Sequence, residues 1–173
     1  AADLDDDGRI DLASVENWSS RLSVFLATGG GEFAAAVAYP AADPKTLVAV
    51  ALRPGGPIDL VSSGGPVLLG DGTGGFTEGT GVFAPGQYPM DVAAVDLDRD
   101  GDVDLVVAND AGDHVTLLHG DGTGAFPSAT TLQTGAFPRL VEGADLNGDG
   151  WPDLLVALRA NGPSGTNTTV VLL

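Results

Sequence analysis

The sequence predicts an all-β protein, a β-propeller of four-stranded blades. Two recurring phrases carry that expectation, and one strand apolar on both faces supports it. The first phrase is an acidic loop, Asp-x-Asp/Asn-x-Asp-Gly-x-x-Asp, starting at Asp3, Asp96 and Asp145, with a worn copy starting at Ala51. Start-to-start spacings are 48, 45 and 49 residues. That is the period of a propeller blade and not of a nine-residue β-helix. The second phrase, Leu69-Gly70-Asp71-Gly72-Thr73-Gly74-Gly75-Phe76, returns as His119-Gly120-Asp121-Gly122-Thr123-Gly124-Ala125-Phe126 and more loosely as Leu26-Ala27-Thr28-Gly29-Gly30-Gly31-Glu32-Phe33.

One full unit shows why each element is expected. A first strand is read over 90–97, then the acidic loop, then a second strand over 103–108. Leu105-Val106-Val107-Ala108 is apolar at consecutive positions, as a strand covered on both faces must be. The polar turn 109–113 leads to a third strand over 114–119, and the glycine-rich phrase to a fourth over about 126–132. The whole chain, 1–173, reads as one propeller region with units at about 1–46, 47–89, 90–137 and 138–173. The outer two units align only in part. The expectation is a piece of a longer propeller, or copies that complete each other's blades, since open sheet edges are a liability. Ala1-Ala2-Asp3 carries neither an initiator Met nor a basic leader. This fits a removed leader or a piece of a longer protein.

Twenty-four acids stand against seven bases, a net charge of −17. A nucleic-acid partner is therefore not expected, because phosphate binding needs a positive surface. No apolar run reaches the length of a membrane span. The absence of cysteine removes disulfides and thiolate metal sites.

The acids cluster in the loops, which points to a hard cation. Calcium takes six to eight oxygens in a flexible cage. The expected ligands of the first loop are the side chains of Asp3, Asp5, Asp7 and Asp11 with the carbonyl of Arg9. In the third loop they are Asp96, Asp98, Asp100 and Asp104 with the carbonyl of Asp102. In the fourth they are Asp145, Asn147, Asp149 and Asp153 with the carbonyl of Trp151. Gly8, Gly101 and Gly150 at the sixth position permit the sharp turn. A helical calcium hand needs an acid at position twelve, but Ser14, Val107 and Val156 stand there. The second loop has Ala51, Arg53 and Gly55 in place of acids and keeps only Asp59. Three Ca2+ sites are therefore expected and none at the second loop, where Arg53 supplies the positive charge.

These loops, followed by Asp-Leu-Val-Val and by Leu-Leu-Gly-Asp-Gly-Thr-Gly-x-Phe, resemble the FG-GAP/VCBS-type repeat of integrin alpha-subunit propellers, many secreted bacterial proteins and a related fungal lectin. The resemblance implies a calcium-stabilised, typically seven-bladed propeller in an extracellular or cell-surface protein. Adhesion, ligand binding or assembly would be its role. Seven blades at this period need about 330 residues, and the chain has 173.

In a four-stranded meander the acidic loops and glycine-rich turns share one rim. The opposite rim carries the loops of variable length, where a protein or glycan ligand is expected. Trp18 in such a loop is a candidate for stacking on a sugar, and Trp151 for packing against a neighbour. Phe33, Phe76 and Phe126 read as core anchors. His114 and His119, five apart on one strand, face opposite sides and are not a metal pair. Asn17-Trp18-Ser19 and Asn167-Thr168-Thr169 are glycosylation sequons. No nucleophile elbow, zinc-protease helix or phosphate loop is present, so a non-enzymatic module is expected. The alternatives are a lectin or a non-catalytic domain of a secreted enzyme.

Overall fold

The computed structural model describes residues 1–16, 19–79, 85–135, 137–159 and the backbone of 168–172. All regular structure among them is β. The first sheet holds β1 (Leu12–Glu16), β2 (Arg21–Phe25) and β5 (Val37–Pro40), and a separate hairpin is formed by β3 (Ala27–Gly29) and β4 (Glu32–Phe33). The second sheet is β6 (Leu47–Val50), β7 (Asp59–Ser62), β8 (Val67–Gly70) and β9 (Phe76–Glu78). The third is β10 (Pro89–Val95), β11 (Asp104–Asn109), β12 (His114–His119) and β13 (Ser128–Gln133). The fourth is β14 (Pro138–Ala144), β15 (Asp153–Leu158) and β16 (Thr168–Leu172). Every pairing is antiparallel, and the second and third sheets run in simple sequence order.

Alternation along the second strand of each sheet explains the packing. Leu105 and Val107 join Leu52, Val61 and Val67 of the second sheet in one core. Val106 and Ala108 point the other way and join Val141, Leu154 and Val156 of the fourth. Leu60 likewise faces Leu22 and Val24 of the first sheet, while Val61 faces the third. Each core therefore lies between two sheets. The central strands carry apolar residues on both faces because both faces are covered.

The glycine-rich turns make this stacking close. A side chain at Gly74 would meet Leu26 at 2.5 Å, and one at Gly124 would meet Leu69 at 2.7 Å. Leu26 and Leu69 hold the same place in successive units, so each turn receives a leucine from the sheet before it. Both glycines also have left-handed φ, at +82° and +88°.

Several strand limits differ from those read in the sequence. The first strand of the third sheet runs Pro89–Val95, and the second starts at Asp104 and not at Val103. The fourth starts at Ser128, because Phe126 turns into the core at 5% exposure before the ladder begins. Phe76 is also buried, edge-on to Tyr39 at 5.7 Å. Phe33 is a correction: it is 42% exposed and no core anchor. Phe76 and Phe126 each pack on the sheet preceding theirs. Trp18 and both sequon asparagines lie outside the described residues.

Candidate metal centre

Each acidic loop folds by bonding its own side chains to its own backbone, as short acids do in turns. The first-position acid accepts the amide of the sixth-position glycine: Gly8 N to Asp3 Oδ2 at 2.9 Å, Gly101 N to Asp96 Oδ2 at 3.1 Å, Gly150 N to Asp145 Oδ2 at 2.9 Å. The fifth-position acid accepts the amide of the seventh: Arg9 N to Asp7 Oδ1 at 2.8 Å, Asp102 N to Asp100 Oδ1 at 2.9 Å, Trp151 N to Asp149 Oδ1 at 2.8 Å. The sixth-position glycines have φ of +84°, +93° and +87°. Gly8 and Gly101 have open space where a side chain would stand, so conformation alone selects glycine there.

The ninth-position acid does something different. Asp11, Asp104 and Asp153 are buried, at 0%, 1% and 2% exposure. Each accepts the amide of the second loop residue, from Leu4 at 2.7 Å, Leu97 at 2.8 Å and Leu146 at 2.7 Å. The other oxygen of Asp11 takes Ala27 N at 2.7 Å, and that of Asp104 takes Gly120 N at 2.8 Å. This acid thus ties the acidic loop to the turn after the third strand. Asp59 of the worn loop makes the same two ties, to Leu52 N at 3.0 Å and Gly70 N at 2.8 Å. That explains why Asp59 alone stays acidic in the second loop.

Carboxylates come together in two of the three loops. Ligand atoms of Asp3, Asp5 and Asp11 lie within 4.8 Å of one another, as do those of Asp96, Asp98 and Asp100. Burial, then the Asp11 and Asp3 charges, push the Asp5 carboxyl above its ordinary range against the pull of Arg9. Burial raises Asp104 too, against the amides of Gly120 and Leu97. Asp102 is raised by burial and then by Asp100 and Asp121. In the first loop Asp7 is also paired with the Arg9 guanidinium. In the fourth, Asn147 donates to Asp149 Oδ2 at 3.1 Å.

Two observations test whether a cation fits. Asp5 Oδ1 and Asp96 Oδ1 are buried oxygens without a hydrogen-bond partner, a costly state unless another group satisfies them. In the worn loop a cation is built into the chain: Arg53 Nη2 reaches Asp59 Oδ1 at 2.5 Å and Gly70 O at 2.7 Å. The donor set is all hard oxygen in the first loop, which suits calcium. The third loop adds a nitrogen. His119 Nδ1 lies 3.9 Å from Asp98 Oδ2 and 4.0 Å from Asp104 Oδ1. Spacing along one strand gave no sign of this. The signal was the expected hairpin, which sets the strand's end beside the acidic loop.

Trp151 is half exposed, and the Arg99 guanidinium lies over its ring at 5.1 Å. Arg99 belongs to the neighbouring acidic loop, so adjacent loops touch along the rim. Among the described residues no helix is long and apolar enough to cross a membrane. Among curated proteins no relative matches the chain. The FG-GAP-like repeat matches residues 58–107 and 96–156, two overlapping copies that together span more than half of the sequence. Both matches include the acidic loop that starts at Asp96, the second also includes the one at Asp145, and with more than half of the sequence matched the chain belongs to the FG-GAP-like repeat family.

Proposed function

We propose that the chain is part of a calcium-stabilised β-propeller, a non-enzymatic extracellular module for adhesion, ligand binding or assembly. The observation that carries the reading is the exchange between loops. In the loops starting at Asp3 and Asp96, oxygens converge and one buried oxygen in each is unmatched. Where the acids are lost, Arg53 occupies the ninth-position acid. A Ca2+ ion held by Asp3, Asp5, Asp7 and Asp11, by Asp96, Asp98, Asp100 and Asp104, and by Asp145, Asn147, Asp149 and Asp153 would offset part of these charges and fix the loops. Stacked sheets sharing cores support the propeller, and the family supports an extracellular setting.

Two measurements test this. Isothermal titration should give three Ca2+ per chain, with Asp98→Ala removing one. Chelation with EDTA should lower the melting temperature by several degrees or more, as loss of a ligand that binds only the folded state requires. An unchanged melt would refute it. A lectin reading has its own support in a cleft of about 590 Å³ between the first and second sheets, on the rim away from the acidic loops. Ser20, Pro40, Ala41, Gly65 and Glu78 line it. A glycan array without hits on the calcium-loaded protein would remove that reading.

A further inference from the structure

The fourth acidic loop differs from the other two at adjacent positions. Its third residue is Asn147 where they have Asp5 and Asp98, and its fourth is Gly148 where they have Asp6 and Arg99. The fourth position is left-handed in all three loops, with φ of +56° at Asp6, +62° at Arg99 and +80° at Gly148. The other loops therefore seat a side chain at that conformation, and one built on Gly148 would meet nothing within 4 Å. Packing does not ask for glycine there. What glycine leaves is a backbone nitrogen that no side chain of its own shields. Residues 145–150 are all exposed, so water reaches it. Three contacts surround that nitrogen and the Asn147 amide. Gly148 N donates to Asp145 Oδ1 at 2.6 Å. Asn147 Oδ1 accepts Asp149 N at 2.8 Å. That bond folds the side chain back across the Gly148 peptide, as Asx turns do, and it draws electrons from the amide carbon. Asn147 Nδ2 donates to Asp149 Oδ2 at 3.1 Å. A base thus stands at the nitrogen that would attack, and a donor at the oxygen that would take up charge.

We propose that Asn147-Gly148 is a site of spontaneous deamidation, which gives the fourth loop an aspartate at its third position. Gly148 N gives up its proton towards the Asp145 carboxylate and bonds to Asn147 Cγ. The bond from Cγ to Nδ2 breaks, the departing nitrogen takes up a proton, and ammonia leaves behind a cyclic imide. Water then adds to one of the two imide carbonyls. Addition at Cγ restores the main chain and leaves aspartate, the residue type of Asp5 and Asp98. Addition at the backbone carbonyl carbon routes the chain through Cβ and leaves isoaspartate, which lengthens the loop by a methylene. The net reaction is hydrolysis of the side-chain amide, consuming water and releasing ammonia, with no oxidant or cofactor. Asn109 is the contrast: it has no exposed surface and is followed by Asp110.

The test is peptide mapping by mass spectrometry of the full chain held in EDTA at neutral pH, beside a synthetic peptide of residues 144–153. The map separates Asn147 from Asn161-Gly162, a second such pair that lies outside the described residues. Asn147 should convert about tenfold faster in the folded chain than in the peptide, because base and donor are already in place. Asn109 should stay intact. Asp145→Asn keeps an acceptor at Gly148 N but removes the base, and should bring the rate down to the peptide's. A parent rate at or below the peptide's would overturn the proposal, whether or not the variant folds. A folded Asp145→Asn variant as fast as the parent would overturn it too. One further expectation rests on the calcium reading of this loop, since an ion held by Asp145 and Asn147 occupies both the base and the amide oxygen. With Ca2+ at about a hundred times its dissociation constant, conversion should slow about a hundredfold, because only the ion-free fraction reacts. Fast conversion that Ca2+ leaves unslowed would remove the ion from this loop and support the deamidation, so the two failures are distinguishable.

Discussion

Asp104 sits at 1% exposure and spends both oxygens on backbone amides. Its alanine variant leaves two buried N–H groups unmatched, and a loss of about 3 kcal/mol in urea unfolding is expected. Asp59→Ala should cost a similar amount, although its loop is proposed to bind no ion. Equal losses, with only Asp104→Ala changing the calcium stoichiometry, would separate the tie from the ligand. A second residue-level expectation concerns acid. The hydroxyl and amide of Thr73 hold the Asp71 carboxyl below its ordinary range, chiefly through the amide. A group with a depressed folded pKa stabilises above the unfolded value and loses that contribution as pH falls through the folded one. Thr73→Val should therefore lower stability at neutral pH and flatten the acid limb below about pH 4, the unfolded carboxylate range, so that the variant and parent curves converge in acid.

At the scale of elements, the glycine-rich turn is the contact between sheets. Gly124→Ala would place carbon 2.7 Å from Leu69 at a φ of +88°. A cost of about 2 kcal/mol is expected from crowding and left-handed strain. Adding Leu69→Ala should recover the crowding part, so the double mutant would be less destabilised than the sum. The elements also mark how far sequence reading reaches. Leu105-Val106-Val107-Ala108 announced a strand covered on both faces, because an unbroken apolar run has no other economical place. The 48-residue period placed the loops. What escaped depended on pairs distant in sequence. Leu105 pairs with Leu118, which brings Asp104 beside His119, and no local pattern records that register. Exposure of Phe33 depends on which sheet lies next to it, and its own segment carries no sign of that. The buried role of the ninth-position acid escaped for a related reason. Its partners are backbone amides, which every residue but proline supplies.

Across the whole molecule, the cores are held in common. Leu22 and Leu60 belong to the core of the first and second sheets, Val61 and Leu105 to the next, Val106 and Val156 to the last. Divisibility follows from this. The third sheet cut out alone, residues 90–137, would expose both rows of its central strand, and it should show no cooperative melt by circular dichroism. Residues 47–137 keep the core between Val61 and Leu105 whole and should recover a melt, lower than the parent's. The smallest piece able to stand is then an interface and not a repeat. In such a chain the unit of inheritance in sequence and the unit of stability in space are offset by half a step.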